Sequence, residues 1–334
     1  MDWKKLWVLP ALLLLLVAAV ACKEEEEEET TGEAMSGVIE YDIPYYVLKG
    51  ETVTMTATGI IDPAEVSYKW YVSGLYVDTL TSPTVTIRFP DSIGVFTVSA
   101  TSTAPGYYNT STTQTVTTID TAYNASLQNV PRSGKSIIDE RDGLQYSYVT
   151  IGGLDWFSQN LAYGHLLFTN WNNYKPYKNS PSAVSLFGVF YTWLEAFNNP
   201  CPEGWHVPDN DEWASLATAM AGKPMSFADD WAGLGVKASA DALLNDERMW
   251  PYSPDNTHTN DFGWNALPLG ITTEDAKRWT GENEYGYWWS ASEKNPDQGY
   301  YRYIYYDRGD FPVGFASKTG VRAAVRCVRT HPQS

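Results

Sequence analysis

Cys201-Pro202-Glu203-Gly204-Trp205-His206-Val207-Pro208 leads into Asp209-Asn210-Asp211-Glu212-Trp213, and this junction sets the reading of the C-terminal half of the chain. Asp209 with Glu212 three residues on is a capping-box start. Trp213, Leu216, Ala217 and Met220 then fall at helical spacing, and Gly222 supplies the stop. One well-signalled helix is therefore expected here, and a second over Leu186 to Phe197. Around them, period-two and apolar runs predict strands at Gln145 to Ile151, Tyr287 to Ser290, Tyr300 to Tyr305 and Ala323 to Val328. Strands interleaved with helices predict an α+β domain over residues 135–330.

Upstream, Val38 to Ile119 is rich in Thr, Val, Ser and Tyr and alternates strictly. Val53, Met55 and Ala57 share one face, as do Val66, Tyr68, Trp70 and Val72, then Val85, Ile87 and Phe89, then Phe96, Val98 and Ala100. This pattern predicts an all-β sandwich over 37–120, a spacer with Trp70 as the core plug of an immunoglobulin-like arrangement. Gly94-Val95-Phe96-Thr97-Val98-Ser99-Ala100 resembles the late strand of PKD-type sandwich domains. Residues 121–134 read as a linker.

The N-terminus has a basic start (Lys4, Lys5), an apolar run from Leu6 to Ala21, and Cys22. The run is too short to span a bilayer and ends in small residues, the pattern of an export signal over 1–21. Leu16 to Cys22 resembles a bacterial lipobox, with Ala19 where Leu is commoner. The resemblance implies cleavage before Cys22 and its acylation, so the first partner is an outer-membrane lipid. Lys23 with Glu24 to Glu29 looks like the signal that routes Bacteroidetes lipoproteins to the outer face of the outer membrane. Physically, residues 22–36 form a self-repelling acidic tether.

The formal net charge is −17, and it becomes −18 when residues 1–21, with Asp2 against Lys4 and Lys5, are removed. So acidic a chain repels phosphate backbones, which excludes nucleic acid and favours a neutral or cationic partner. Of three cysteines, Cys22 is taken by the anchor. Cys201 and Cys327 remain as a disulfide pair for an oxidising compartment.

Several motifs together resemble the Fibrobacter succinogenes major paralogous domain, itself similar to the C-type-lectin and formylglycine-generating-enzyme folds. They are Asp139 to Gly143, Ile151-Gly152 with Trp156, Asn160 and Leu161, the Cys201 to Trp213 stretch, Phe262 to Pro268, Tyr287 to Ser290 with Ser292-Glu293, and Val325 to Arg329. The resemblance implies a C-type-lectin-like scaffold, with the paired cysteines at family positions and most tryptophans in the core. Function must then sit on aromatic residues outside the motifs. Trp279, Tyr285, Trp250, Tyr306, Asp307, Tyr303 and Trp171 are the candidate ligand-binding residues. Among them, Tyr300-Tyr301-Arg302-Tyr303-Ile304-Tyr305-Tyr306-Asp307 has rings on both faces of one strand, so either one face is exposed or loops cover both.

No metal spacing, nucleophile elbow or phosphate loop is present, so no cofactor, metal or catalytic residue is assigned. Asn295-Pro296-Asp297 only faintly echoes a calcium-lectin triplet. Glu282, Glu284, Asp307 and Asp310 could supply paired carboxylates, but acidic loops on an acidic chain are the simpler account. The architecture looks like that of surface glycan-binding proteins of polysaccharide-utilisation systems. A neutral glucan, with β-glucan foremost, is the expected ligand, and a TonB-dependent transporter complex a further partner. The alternative is an adhesin or surface-assembly protein that binds another protein.

Overall fold

The computed structural model describes residues 32–75, 82–120, 127, 134–164 and 175–331. The export signal, Cys22, most of the acidic tether and Trp171 lie outside the described residues.

The first unit is a sandwich of two sheets. Strands β1 (Ser36–Asp42), β3 (Thr52–Asp62) and β5 (Thr84–Arg88) form one sheet in the order β1-β3-β5. Strands β2 (Tyr46–Leu48), β4 (Ser67–Val72), β6 (Gly94–Thr103) and β7 (Thr110–Ile119) form the other, in the order β2-β7-β6-β4, with β2 parallel to β7. The alternating residues face inward: Met55, Ala57, Trp70, Val72, Val85, Ile87, Phe89, Val98, Ala100 and Val116 make one apolar cluster. The outer faces carry hydroxyls that bond across strands, such as Thr54 to Thr86 (2.9 Å) and Thr101 to Ser111 (2.7 Å).

This sandwich packs directly against the C-terminal region. The Tyr46 ring lies against Tyr177 (5.9 Å between centroids) and Phe187 (5.3 Å). Ser182 Oγ donates to Glu51, 2.8 Å from either carboxylate oxygen, and Tyr46 N–H donates to Ser180 Oγ at 2.8 Å. A shared apolar cluster runs from Ile119 through Leu127, Phe187 and Phe190 to Leu267 and Leu269. Leu127, inside the segment that reads as a plain linker, is buried at 4% exposure. Apolar burial of this kind makes the sandwich part of a continuous packed structure, where a spacer was expected.

The C-terminal region is not the α+β, C-type-lectin-like domain that the sequence suggested. Strand outweighs helix, 44% against 12% among the described residues, so an all-β, sandwich-type description fits. Helices α1 (Val184–Phe187) and α2 (Trp193–Phe197) are four and five residues long, and only α3 (Asn210–Ala221) reaches twelve. The single helix expected over Leu186 to Phe197 is split at Gly188. There φ is +84° and a Cβ would stand 2.8 Å from Asn160 Cβ and Leu161 O, so the helix cannot continue. The α3 reading is met: both halves of the Asp209/Glu212 capping box are present and Gly222 takes the left-handed C-cap.

Strands β8 (Ser136–Ile138), β9 (Gln145–Ile151) and β10 (Leu154–Phe157) form a sheet completed by Val328–Thr330 alongside β10. A six-stranded sheet runs in the order Trp279–Glu282, Leu269–Thr273, Tyr285–Asn295, Gln298–Tyr305 and Val313–Ser317, with Val321–Arg322 joined to Leu269–Thr273. Between the sheets lies an indole cluster. Trp156 meets Trp213 (5.2 Å), Trp213 meets Trp264 (5.8 Å), and Trp264 meets Trp288 (4.9 Å) edge-on.

Cys201 and Cys327 are joined, closing a loop of 126 residues. In the chain-entropy model such a loop stabilises by about 4–5 kcal/mol.

Arg326 is fully buried in this core, with no carboxylate partner among the described residues. Its guanidinium donates to Asn160 Oδ1 (2.8 Å) and to the carbonyls of Phe157 (3.0 Å), Trp264 (2.7 Å) and Asn265 (2.7 Å). Burial holds its pKa down at about 9, still protonated at neutral pH, because four oxygens take the place of water. Replacing it strands those acceptors. Arg326→Leu is expected to lower stability by about 3–5 kcal/mol, read as a fall in the denaturant midpoint; an unchanged midpoint would refute this role.

Candidate functional site

The strands Tyr285–Asn295 and Gln298–Tyr305 pair antiparallel with Tyr285 opposite Tyr305, Tyr287 opposite Tyr303 and Trp289 opposite Tyr301. Side chains alternate across a sheet, so this register puts five tyrosines on one face. On the other face Trp288, Arg302 and Ile304 are buried with Gly286. Tyr285, Tyr287, Tyr301, Tyr303 and Tyr305 are each half-buried, leaving one aromatic surface partly open.

The rings form a ladder. Tyr285 stacks on Tyr305 (4.5 Å, 28° between planes) and on Tyr287 (5.6 Å, 16°), and Tyr287 stacks on Tyr303 (5.8 Å, 27°). Tyr301 closes one end, edge-on to Tyr287 (5.4 Å, 81°), and Tyr306 closes the other, edge-on to Tyr305 (4.8 Å, 71°). Gly314, opposite Tyr301, is where any larger side chain would strike the Tyr301 ring. Rings stacked on each other shield part of their faces, so edges and phenol oxygens make up much of what remains available.

The phenols of Tyr287, Tyr301, Tyr303 and Tyr305 are pushed up from the ordinary tyrosine range. Burial raises Tyr287, with further raising from Tyr301, Tyr285, Tyr303 and Glu284. Burial also raises Tyr301 and Tyr303; at Tyr303 the positive charge of Arg308 opposes the shift while Asp230 and Asp310 add to it. Tyr305 is pushed up to about 12, first by its hydrogen bond with Tyr306 and then by desolvation. The surface thus offers neutral hydroxyls that can both donate and accept, within a negative rim of Glu284, Asp230 and Asp310.

Of the residues proposed from sequence, the fold brings Tyr285, Tyr303 and Tyr306 onto or beside this ladder. Asp307 comes next in the chain, exposed and accepting a hydrogen bond from Ser253 Oγ at 3.0 Å. Tyr287, Tyr301 and Tyr305 belong to the same surface but were not proposed; the period-two spacing in both strands carried that signal.

Trp279 is not on this face. It is half-buried at the junction with the sandwich, edge-on to Tyr177 (5.1 Å) and Phe190 (5.0 Å), and its indole N–H donates to Ala276 O at 3.1 Å. Trp250 as a ligand contact has to be corrected. It is 1% exposed, donates to Ala266 O at 3.2 Å and stacks on His258 at 4.7 Å, because the Met249 N–H to Ala242 O bond folds its turn inward. Of the four carboxylates weighed as a catalytic group, Glu282 pairs with Lys178 and Asp307 accepts from Ser253.

A half-exposed tyrosine ladder on a β-sheet, backed by an indole core, defines a β-rich domain with one aromatic face partly open. Residues 149–329 match the model of the Fibrobacter succinogenes major domain, more than half of the chain, and the chain belongs to that family. No curated protein matches it. Among solved structures, the Yersinia pseudotuberculosis adhesin InvE is similar at 11% identity over 89% of this chain and 70% of that one. Its TM-score of 0.25 is too low to carry an argument.

His258 beside Trp250 gives the region a pH dependence. Both ring nitrogens are enclosed without a partner among the described residues, and burial lowers the pKa to about 4. The folded state then binds fewer protons than the unfolded chain between about pH 6.5 and pH 4. Stability is full above this window and falls as the pH drops through it, by on the order of 2–3 kcal/mol. His258→Phe keeps the stacking on Trp250 and should flatten this acid-side loss in thermal melts from pH 7.5 to 4.5; parallel curves for variant and parent would disprove the assignment.

Proposed function

We propose that this protein is a lipid-anchored, cell-surface binding protein that captures a neutral polysaccharide on its tyrosine ladder. The anchor is Cys22, and a glucan, with β-glucan first, is the ligand to test. The observation that carries the reading is the set of five cross-strand tyrosines, half-exposed on one face and stacked ring against ring. Sugars offer apolar ring faces and a hydroxyl rim, which partly open aromatic rings and phenol oxygens match together. The negative rim disfavours uronates and sulfated sugars, leaving neutral polymers. The family is one of surface domains without catalytic activity, and the ladder calls for recognition rather than bond cleavage.

The magnitudes suffice. Micromolar to millimolar binding needs about 4–8 kcal/mol per site, and a polymer that engages many copies gains further by avidity. Partial burial of two or three rings at ~25 cal/mol per Å², with a few hydrogen bonds, reaches that range after the cost of immobilising the sugar.

Affinity electrophoresis and calorimetry against a panel of neutral polysaccharides test the proposal. Tyr303→Ala and Tyr285→Ala should each weaken binding roughly tenfold or more, about 1.4 kcal/mol, with little change in melting temperature. Silence across all neutral glycans would discard the glycan reading. A gradual loss spread over many substitutions, with a protein ligand, would favour the adhesin alternative.

A further inference from the structure

Where the sandwich meets the C-terminal region there is a cavity of about 460 Å³. Its walls come from both units. Asp42, Pro44, Thr52 and Thr54 stand on one side, and Lys175 and Pro176 are among those on the other. The volume lies within the range of small-molecule sites, roughly 300–1,000 Å³.

The wall of this cleft carries both a cation and a carboxylate. Among the described residues, neither Lys175 nor Asp42 forms an ion pair, although other cations at this junction do, such as Lys178 with Glu282 and Lys277 with Glu40. Lys175 is partly buried, and burial followed by repulsion from Arg322 lowers its pKa, with Asp275, Asp42 and Glu195 opposing. The cation is thus incompletely compensated. Glu51, also in the wall, is committed to Ser182 Oγ and Leu48 N–H, which leaves Asp42 as the wall carboxylate with no ion pair or side-chain hydrogen bond among the described residues. Pro44, Pro176 and Pro181 give rigid, apolar surfaces in the same wall.

We infer that this cleft binds a small zwitterion, an amino acid or short peptide, with Lys175 receiving its carboxylate, Asp42 its ammonium group, and the prolines bracketing the part between. A ligand that bears both charges satisfies both wall groups at once; a purely anionic one meets Asp42, and a purely cationic one meets Lys175. The site is distinct from the tyrosine ladder and does not depend on the glycan reading.

Calorimetry on the full mature chain, with a panel of dipeptides carrying apolar, polar and charged side chains, tests this. At least one free dipeptide should bind, and its N-acetylated and C-amidated forms should each bind roughly tenfold more weakly or worse. Lys175→Met and Asp42→Asn should abolish or strongly weaken binding, Lys175→Arg should retain part of it, and Tyr303→Ala should leave it unchanged. Melting temperatures of the variants check that each is folded. No binding by any dipeptide, equal binding of the blocked forms, or binding indifferent to Lys175 and Asp42 would overturn the inference, whatever the outcome of the polysaccharide experiments.

Discussion

A single buried guanidinium organises the C-terminal region. Arg326 reaches the Phe157 to Asn160 stretch at the end of β10 and the Trp264-Asn265 turn, so two segments far apart in sequence are tied to its own by one side chain. Asn160 extends the arrangement. Its Oδ1 also accepts from the Trp288 indole N–H (2.9 Å), and its amide donates to Phe187 O (3.1 Å). Trp288 sits on the inward face of the very strand whose outward face bears Tyr285 and Tyr287. The position of the exposed rings is therefore set from behind, by a polar network in which every oxygen contacted is satisfied by a donor.

The difference between local and tertiary causes explains which parts of the fold were legible in the residues. In the sandwich the strands alternate over much of their length, so burial there follows from the residue pattern, and Trp70 at 4% exposure is where period two puts it. The α3 boundaries were legible because capping is local chemistry. The low helix content of the rest was not. Short apolar runs such as Val184 to Phe190 suit helix or strand equally, and the decision fell to Gly188, whose crowding against Asn160 and Leu161 is a tertiary fact.

At the candidate site the sequence showed that one strand bore rings on both faces, but which face opened depended on register. Tyr287 was hidden inside a motif whose neighbours, Trp288 and Trp289, are wholly buried. Trp250 and Trp279 looked distinctive because they stood in polar surroundings. Those surroundings are loops that fold back over them, and a polar stretch of sequence says little about an indole whose N–H has found a carbonyl. Chemical character was legible, and placement was not.

The bridge between Cys201 and Cys327 has a consequence for the intact molecule in a protease-rich setting. Helix α3, the indole cluster's later members and both tyrosine-bearing strands all lie inside the covalent ring that it closes. A single scission in any exposed turn of that ring yields a nicked chain whose two pieces remain one molecule, held by the bond as well as by pairing of Val328–Thr330 with β10. Damage that would shed the distal half of an unbridged chain leaves this one still able to present its rings.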